Sequence, residues 1–141
     1  LALAFSAAPI MVVWQHFQVD REFHTLYLLL NRARTQAMQA GPLIVRFTPY
    51  TVRVERPNGD VLESLFLTTL DEVCYQTTQG KRWIIFGADG STSSYNLHLH
   101  GGDITLKSWT GYERSLWVHC TGGVTSGRNE DWTLNPPLIG R

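Results

Sequence analysis

The feature that most constrains this chain is a helical hydrophobic period that begins near its start and is stopped by Gly41-Pro42. Val12, Val19, Phe23, Leu26, Leu30, Ala33, Ala37 and Ala40 recur at intervals of three, four or seven, which puts them on one helix stripe. His16 is the one polar interruption on it. Along the stripe, bulky side chains give way to alanines at Ala33, Ala37 and Ala40, and small side chains let a helix axis approach a sheet closely. Asn31, Arg32, Arg34, Thr35, Gln36 and Gln39 fill most remaining positions of that half, so it reads as a one-sided helix. Nearer the start, Trp14, Phe17, Tyr27, Leu28 and Leu29 add apolar surface off the stripe. A helix apolar on more than one side must bury itself in lipid or against other chains. Gly41 suits a left-handed cap and Pro42 forbids continuation, so the helix is expected to end near Ala40.

Leu1 to Trp14 carries no charge, and the first acidic or basic side chain is Asp20. A bilayer span needs roughly 20 apolar residues as a helix, more than this stretch supplies. A secretory signal would show a basic leader and a small-residue cleavage site, and neither is present. The segment therefore reads as the back end of a membrane helix whose front is missing; the alternative is an apolar core helix. The division expected from these patterns is an apolar stem over residues 1–29 and a globular head over residues 30–141.

After Gly41 the period changes from helix to strand. "PLIVRF" sets Leu43, Val45 and Phe47 against Ile44 and Arg46, and "TVRVE" sets Val52 and Val54 against Thr51, Arg53 and Glu55. Asn58-Gly59 in "RPNGD" reads as a type I′ hairpin turn. "VLESLFL", "VCYQT", "RWIIF", "YNLHLH", "DITLKSW" and "SLWVHC" are further strand candidates, and from Thr121 onward the pattern dissolves into an irregular tail. One long N-terminal helix packed through its alanine stripe on antiparallel sheets of about seven short strands is an α+β architecture.

With 141 residues the chain is long enough for one core, and its twelve Lys+Arg balance twelve Asp+Glu. That balance argues against a protein that works mainly by clamping phosphate backbones. Catalytic patterns are weak. His98 and His100 share a strand face, but with only His119 as a third candidate they read as solvated histidines rather than zinc ligands. Asp89-Gly90-Ser91 reads as a tight turn, with too few oxygen ligands for calcium. No phosphate-binding glycine loop, nucleophile elbow or carboxylate pair is present, so neither an enzyme nor a cofactor is expected. Cys74 and Cys120 are the only cysteines. Either they form one bridge, which would add about 3–4 kcal/mol in the chain-entropy model, or they pack as two buried thiols. Trp14 suits a membrane interface. Trp117 reads either as a partner contact beside His119 or as a ring buried under the tail.

Three stretches together carry a family resemblance. "ARTQAMQAG" (Ala33 to Gly41), "WIIFGADGSTS" (Trp83 to Ser93) and "LWVHCTGGVTSGR" (Leu116 to Arg128) follow an apolar helix head in that order. This combination resembles the type IV pilin superfamily, and within it the H-type minor pseudopilins of type II secretion and the FimT/FimU-like minor pilins. Two departures stand out: position 5 is Phe5 where the family carries glutamate, and the late motif has Gly122-Gly123 where the family often has Gly-Arg. The resemblance implies a structural subunit in a bacterial inner membrane, single-pass, with its head in the periplasm. Pro9 would fill the place of the family's helix-interrupting proline. The implied assembly helix comprises Leu3, Phe5, Pro9, Val12, Val13, Trp14, Phe17, Phe23, Leu26 and Leu30, and Ala33, Ala37 and Ala40 would pack it on the sheet. Its partners would be other pseudopilins or pilins, with secreted cargo as a further one.

The expected role is a minor pseudopilin of a type II secretion pseudopilus that helps export folded proteins. The alternative within the superfamily is a type IV pilus minor pilin acting in assembly or DNA uptake, for which Trp117 and Arg128 are the candidate contacts. Outside it stands a periplasmic β-domain with a lipid-inserted helix that binds a small ligand.

Overall fold

A computed structural model of the chain describes residues 2–67, 72–77, 82–92, 102–108 and 110–127, with side chains described from residue 10 onward outside the strand at 72–77. A single helix, α1 (Ala2–Ala40), opens the chain, and its 39 residues make a rod about 58 Å long. It ends where the sequence requires. The Gly41 N–H donates to the Ala37 carbonyl at 2.9 Å with φ +102°, a left-handed cap that Pro42 then seals.

Among the described residues eight strands follow: β1 (Leu43–Phe47), β2 (Thr51–Glu55), β3 (Val61–Phe66), β4 (Glu72–Thr77), β5 (Trp83–Phe86), β6 (Gly102–Lys107), β7 (Glu113–Val118) and β8 (Val124–Ser126). They form two four-stranded sheets, ordered β3-β2-β1-β5 and β4-β6-β7-β8, with antiparallel pairing throughout. The chain alternates between the sheets after β3, so neither sheet is one continuous stretch of sequence. This is the expected α+β fold. The strand β8 lies where the sequence read as patternless, because three residues between glycines are too few to show alternation. The predicted strand "YNLHLH", with His98 and His100, falls outside the described residues.

One face of α1 joins the two sheets. Val19, Phe23, Leu26, Leu29, Leu30, Ala33 and Ala37 meet Leu43, Val45, Phe47, Val52, Val54, Ile84 and Phe86 of the first sheet and Ile104, Leu106, Leu116, Val118 and Val124 of the second in a single apolar core. Register sets the inner rows: Val45 pairs with both Val54 and Ile84, and Ile104 with Leu116.

Four turns share one construction. In Arg56–Asp60, Gly87–Ser91, Ser108–Tyr112 and His119–Gly123 the first N–H donates to the fifth carbonyl, and the fourth residue's N–H returns to the first carbonyl. That fourth residue is glycine each time, with φ between +82° and +96°. This is a type I turn followed by a left-handed bulge. It corrects the type I′ expectation at Asn58-Gly59, which needs positive φ at Asn58; no described non-glycine residue has positive φ. Pro57, locked near φ −65°, suits the first central position of a type I turn and leaves Gly59 alone in the left-handed region.

Candidate assembly face and head junction

The start of α1 stands clear of the head. Ile10, Met11, Val12, Val13 and Trp14 are all exposed, Val13 to 67%. Five consecutive helical residues, each turned about 100° from the last, sweep the full circumference, so no side of the rod is covered there. Phe17 is exposed too, its ring 6.1 Å from that of Trp14. From Gln15 onward the helix has a buried face. The expected assembly set therefore splits. Val12, Val13, Trp14 and Phe17 are open to a partner, whereas Phe23, Leu26 and Leu30 are buried in the chain's own core. The stem is thus shorter than the expected 1–29, and residues 15–29 belong with the head. Periodicity marks a side chain as apolar but does not say whether its cover is a sheet or a neighbour. Leu3, Phe5 and Pro9 lie in the helix, which continues through Pro9; their side chains are outside the described set.

Ala33 and Ala37 are buried in the core against the sheets. Ala40 does not: it is exposed and borders a cleft with Pro42 and Leu43, because the chain turns away at Gly41 before the last helical residue is covered.

Besides the Arg32–Glu63 ion pair to β3, two polar connections hold the helix to the head. Near the stem, Asp20 Oδ1 accepts from the Tyr112 hydroxyl and from Arg114 Nη1, each at 2.8 Å. The Arg114 guanidinium lies 4.1 Å from the Phe23 ring centroid, and His16 packs on Tyr112 with centroids 4.0 Å apart. Asp20, by accepting that hydrogen bond, holds the Tyr112 phenol above its ordinary pKa.

The second connection is a junction made by Arg34. Its Nε donates to the Gly90 carbonyl at 3.1 Å and Nη2 to that of Thr121 at 3.4 Å. Thr92 completes it: its N–H donates to the Cys120 carbonyl at 2.9 Å and its hydroxyl to that of His119 at 3.1 Å. A Cβ on Gly122 would stand 1.8 Å from the Gly90 oxygen, so the two turns touch backbone to backbone. The three stretches that carry the family resemblance meet at this one place. No sequence signal marks it, since Arg34 reaches backbone carbonyls rather than a recognisable partner side chain.

Trp117 is half-buried, its ring centroid 3.9 Å from that of His119. Burial holds His119 below the ordinary histidine pKa, and its Nε2 lies 3.1 Å from Thr125 Oγ1. Arg128 falls outside the described residues. The bridge between Cys74 and Cys120 is not formed: Cys120 is a free thiol. Register explains why. Cys74 pairs with Thr105, and Thr105 with Ser115, so Cys120 lies two strands across and five residues along. At ~4.8 Å per strand and ~3.3 Å per residue that is roughly 19 Å, far beyond the reach of a disulfide. Among the described residues no group of His, Cys, Asp or Glu side chains could hold a metal ion.

A long helix laid across two antiparallel sheets, with its N-terminal end bare and apolar, is the pilin fold. The solved structures it is similar to include the type IV minor pilin FimU of Pseudomonas aeruginosa in two crystal forms. The first matches with TM-score 0.62 and 12% identity over 80% of this chain and 90% of FimU. The other gives TM-score 0.54 and 13% identity over 74% and 89%. No family model and no curated protein matches the sequence.

Proposed function

We propose that this chain is a minor pilin, a structural subunit that enters a type IV pilus-type fibre through the bare end of α1. The observation that carries the reading is the uncovered stem. Ile10, Met11, Val12, Val13 and Trp14 face solvent on every side of the rod, and Phe17 is exposed just beyond them. Covering them with neighbouring helices would be worth on the order of 5–10 kcal/mol, given ~1.5–3 kcal/mol for full burial of each side chain and their present partial exposure. Likeness to FimU supports the pilus over the type II secretion pseudopilus, whose support is the sequence resemblance alone. Before assembly the stem is held in the inner membrane and the head lies in the periplasm. Among the described residues no helix is long and apolar enough to cross a membrane.

DNA uptake finds less support. Arg32, Arg34, Arg46, Arg53 and Arg114 are engaged with Glu63, the turn carbonyls, Glu55 and Asp20 rather than gathered as an open basic surface.

The test is fibre incorporation of a Trp14→Gln/Phe17→Gln variant. Both side chains are exposed, so thermal unfolding should match the parent while the subunit disappears from sheared fibres. Incorporation at the parental level would overturn the assignment.

A further inference from the structure

Exposed aromatic side chains are confined to one end of the molecule. Among the described residues they are Trp14 and Phe17 on the stem and Tyr50 and Phe66 on the head, the last two exposed to 60% and 67%. Tyr50 and Phe66 lie at the stem-proximal end for a topological reason. The strand β1 starts at the far end of the helix, beside Gly41, and runs back toward the stem, so the turn at 48–50 falls there. Thr51 pairs with Phe66, and the Leu67 N–H donates to the Tyr50 carbonyl at 2.8 Å, which puts both aromatics at this end of the sheet.

Phe66 borders a shallow cleft of about 280 Å³ with Gln18, Arg21, Glu22 and Thr25 of the helix. Trp14, Gln18, Arg21 and Thr25 follow one another at four, three and four residues, one strip of the helix surface. Trp14, Arg21 and Phe66 therefore face the same side. The Arg21 side chain makes no ion pair or hydrogen bond among the described residues, unlike Arg32 and Arg114.

The geometry points to a seat for the head on an anionic phospholipid bilayer, formed by Tyr50, Phe66 and Arg21 beside the emerging stem. The inference rests on the stem being held in a membrane before assembly. The distances fit. With Trp14 at the hydrocarbon boundary, Gln18 is about 6 Å farther along the axis and Arg21 about 10 Å. The headgroup layer is roughly 5–7 Å deep on each side. Phe66, level with Gln18 and Arg21, thus meets the headgroups, where aromatic rings are favoured. The Arg21 guanidinium falls within about one Debye length of the lipid phosphates. An ordinary tilt of roughly 20° toward this side would press the seat onto the surface. A partner protein could also cover two aromatics, but their placement at the level where an apolar stem ends, with an unengaged cation beside Phe66, matches the layering of a lipid surface.

The experiment measures cosedimentation of the full chain with vesicles of phosphatidylcholine, with and without phosphatidylglycerol. Tyr50→Ser/Phe66→Ser should weaken partitioning about tenfold or more on both vesicle types. Arg21→Gln should weaken it about fivefold on phosphatidylglycerol vesicles alone, and Arg21→Lys should retain it. Thermal unfolding of each variant establishes that the head is intact. Partitioning of both variants at the parental level, or none by the parent, would overturn the seat. So would lipid-free self-association that the double substitution abolishes, which would assign the aromatics to a second copy. Fibre incorporation of the Tyr50/Phe66 variant separates the two readings, since it should persist even if the seat fails.

Discussion

Gly122 is the residue on which the head's internal geometry turns most sharply. Gly59 and Gly122 occupy the same position of the same turn, at φ +96° and +91°, but their surroundings differ. Nothing lies within 4 Å of a Cβ built on Gly59, whereas one on Gly122 meets the Gly90 oxygen at 1.8 Å and Arg34 Nε at 2.9 Å. Gly59→Ala should therefore cost only the left-handed backbone penalty, about 1–2 kcal/mol. Gly122→Ala carries that penalty and a backbone clash besides, and should exceed about 4 kcal/mol or prevent folding. Urea unfolding of the two variants reads the difference. Equal losses would show that the contact between the turns yields freely and that Arg34 does not fix it.

Along the helix, the means of attachment changes. Between Leu26 and Ala37 the buried face is apolar throughout, with Leu26, Leu29, Leu30, Ala33 and Ala37 in the core. Between Gln15 and Glu22 it holds Gln15, Gln18 and Glu22 around the single apolar Val19, and the Gln15 Oε1 has no hydrogen-bond partner. The Asp20–Tyr112–Arg114 cluster is what ties this stretch down. Asp20→Asn combined with Tyr112→Phe should speed amide hydrogen exchange over residues 15–22 by about tenfold, while exchange over 26–37 stays unchanged. Uniform acceleration along the helix would refute the division. These details mark what the sequence could reveal. The helix, its end at Gly41 and the inner rows of β1 and β2 are legible because burial writes a period into the chain. The division of the helix between stem and head was not, since Leu26 and Leu30 carry the same apolar signal whatever covers them. Likewise two of the four glycine turns, at Asn58-Gly59 and Asp89-Gly90, are legible as turns, but the type at Asn58-Gly59 is not, because the preceding proline outweighs Asn-Gly. Asp20 looked like the first charge after an apolar run; that it meets residues from the far half of the chain is a fact of folding.

On the scale of the whole molecule, α1 is the one described element that packs against both sheets, so removing any part of its buried face opens a core shared by both. The bare stem has no such role. Ile10 to Trp14 contribute nothing to the core, and the first polar tie from the helix to the head begins at Asp20. A chain beginning at Gln15 should therefore melt within about 2 °C of the parent, a change expected when less than about 1 kcal/mol is at stake. It should also stay monomeric at concentrations where the exposed stem drives association, and it should be absent from fibres. A drop of more than about 8 °C would mean that the stem supports the head through contacts outside the described residues. Fibre incorporation of the shortened chain would mean that the head alone carries the assembly contacts, and the helix would then be a tether rather than the joint.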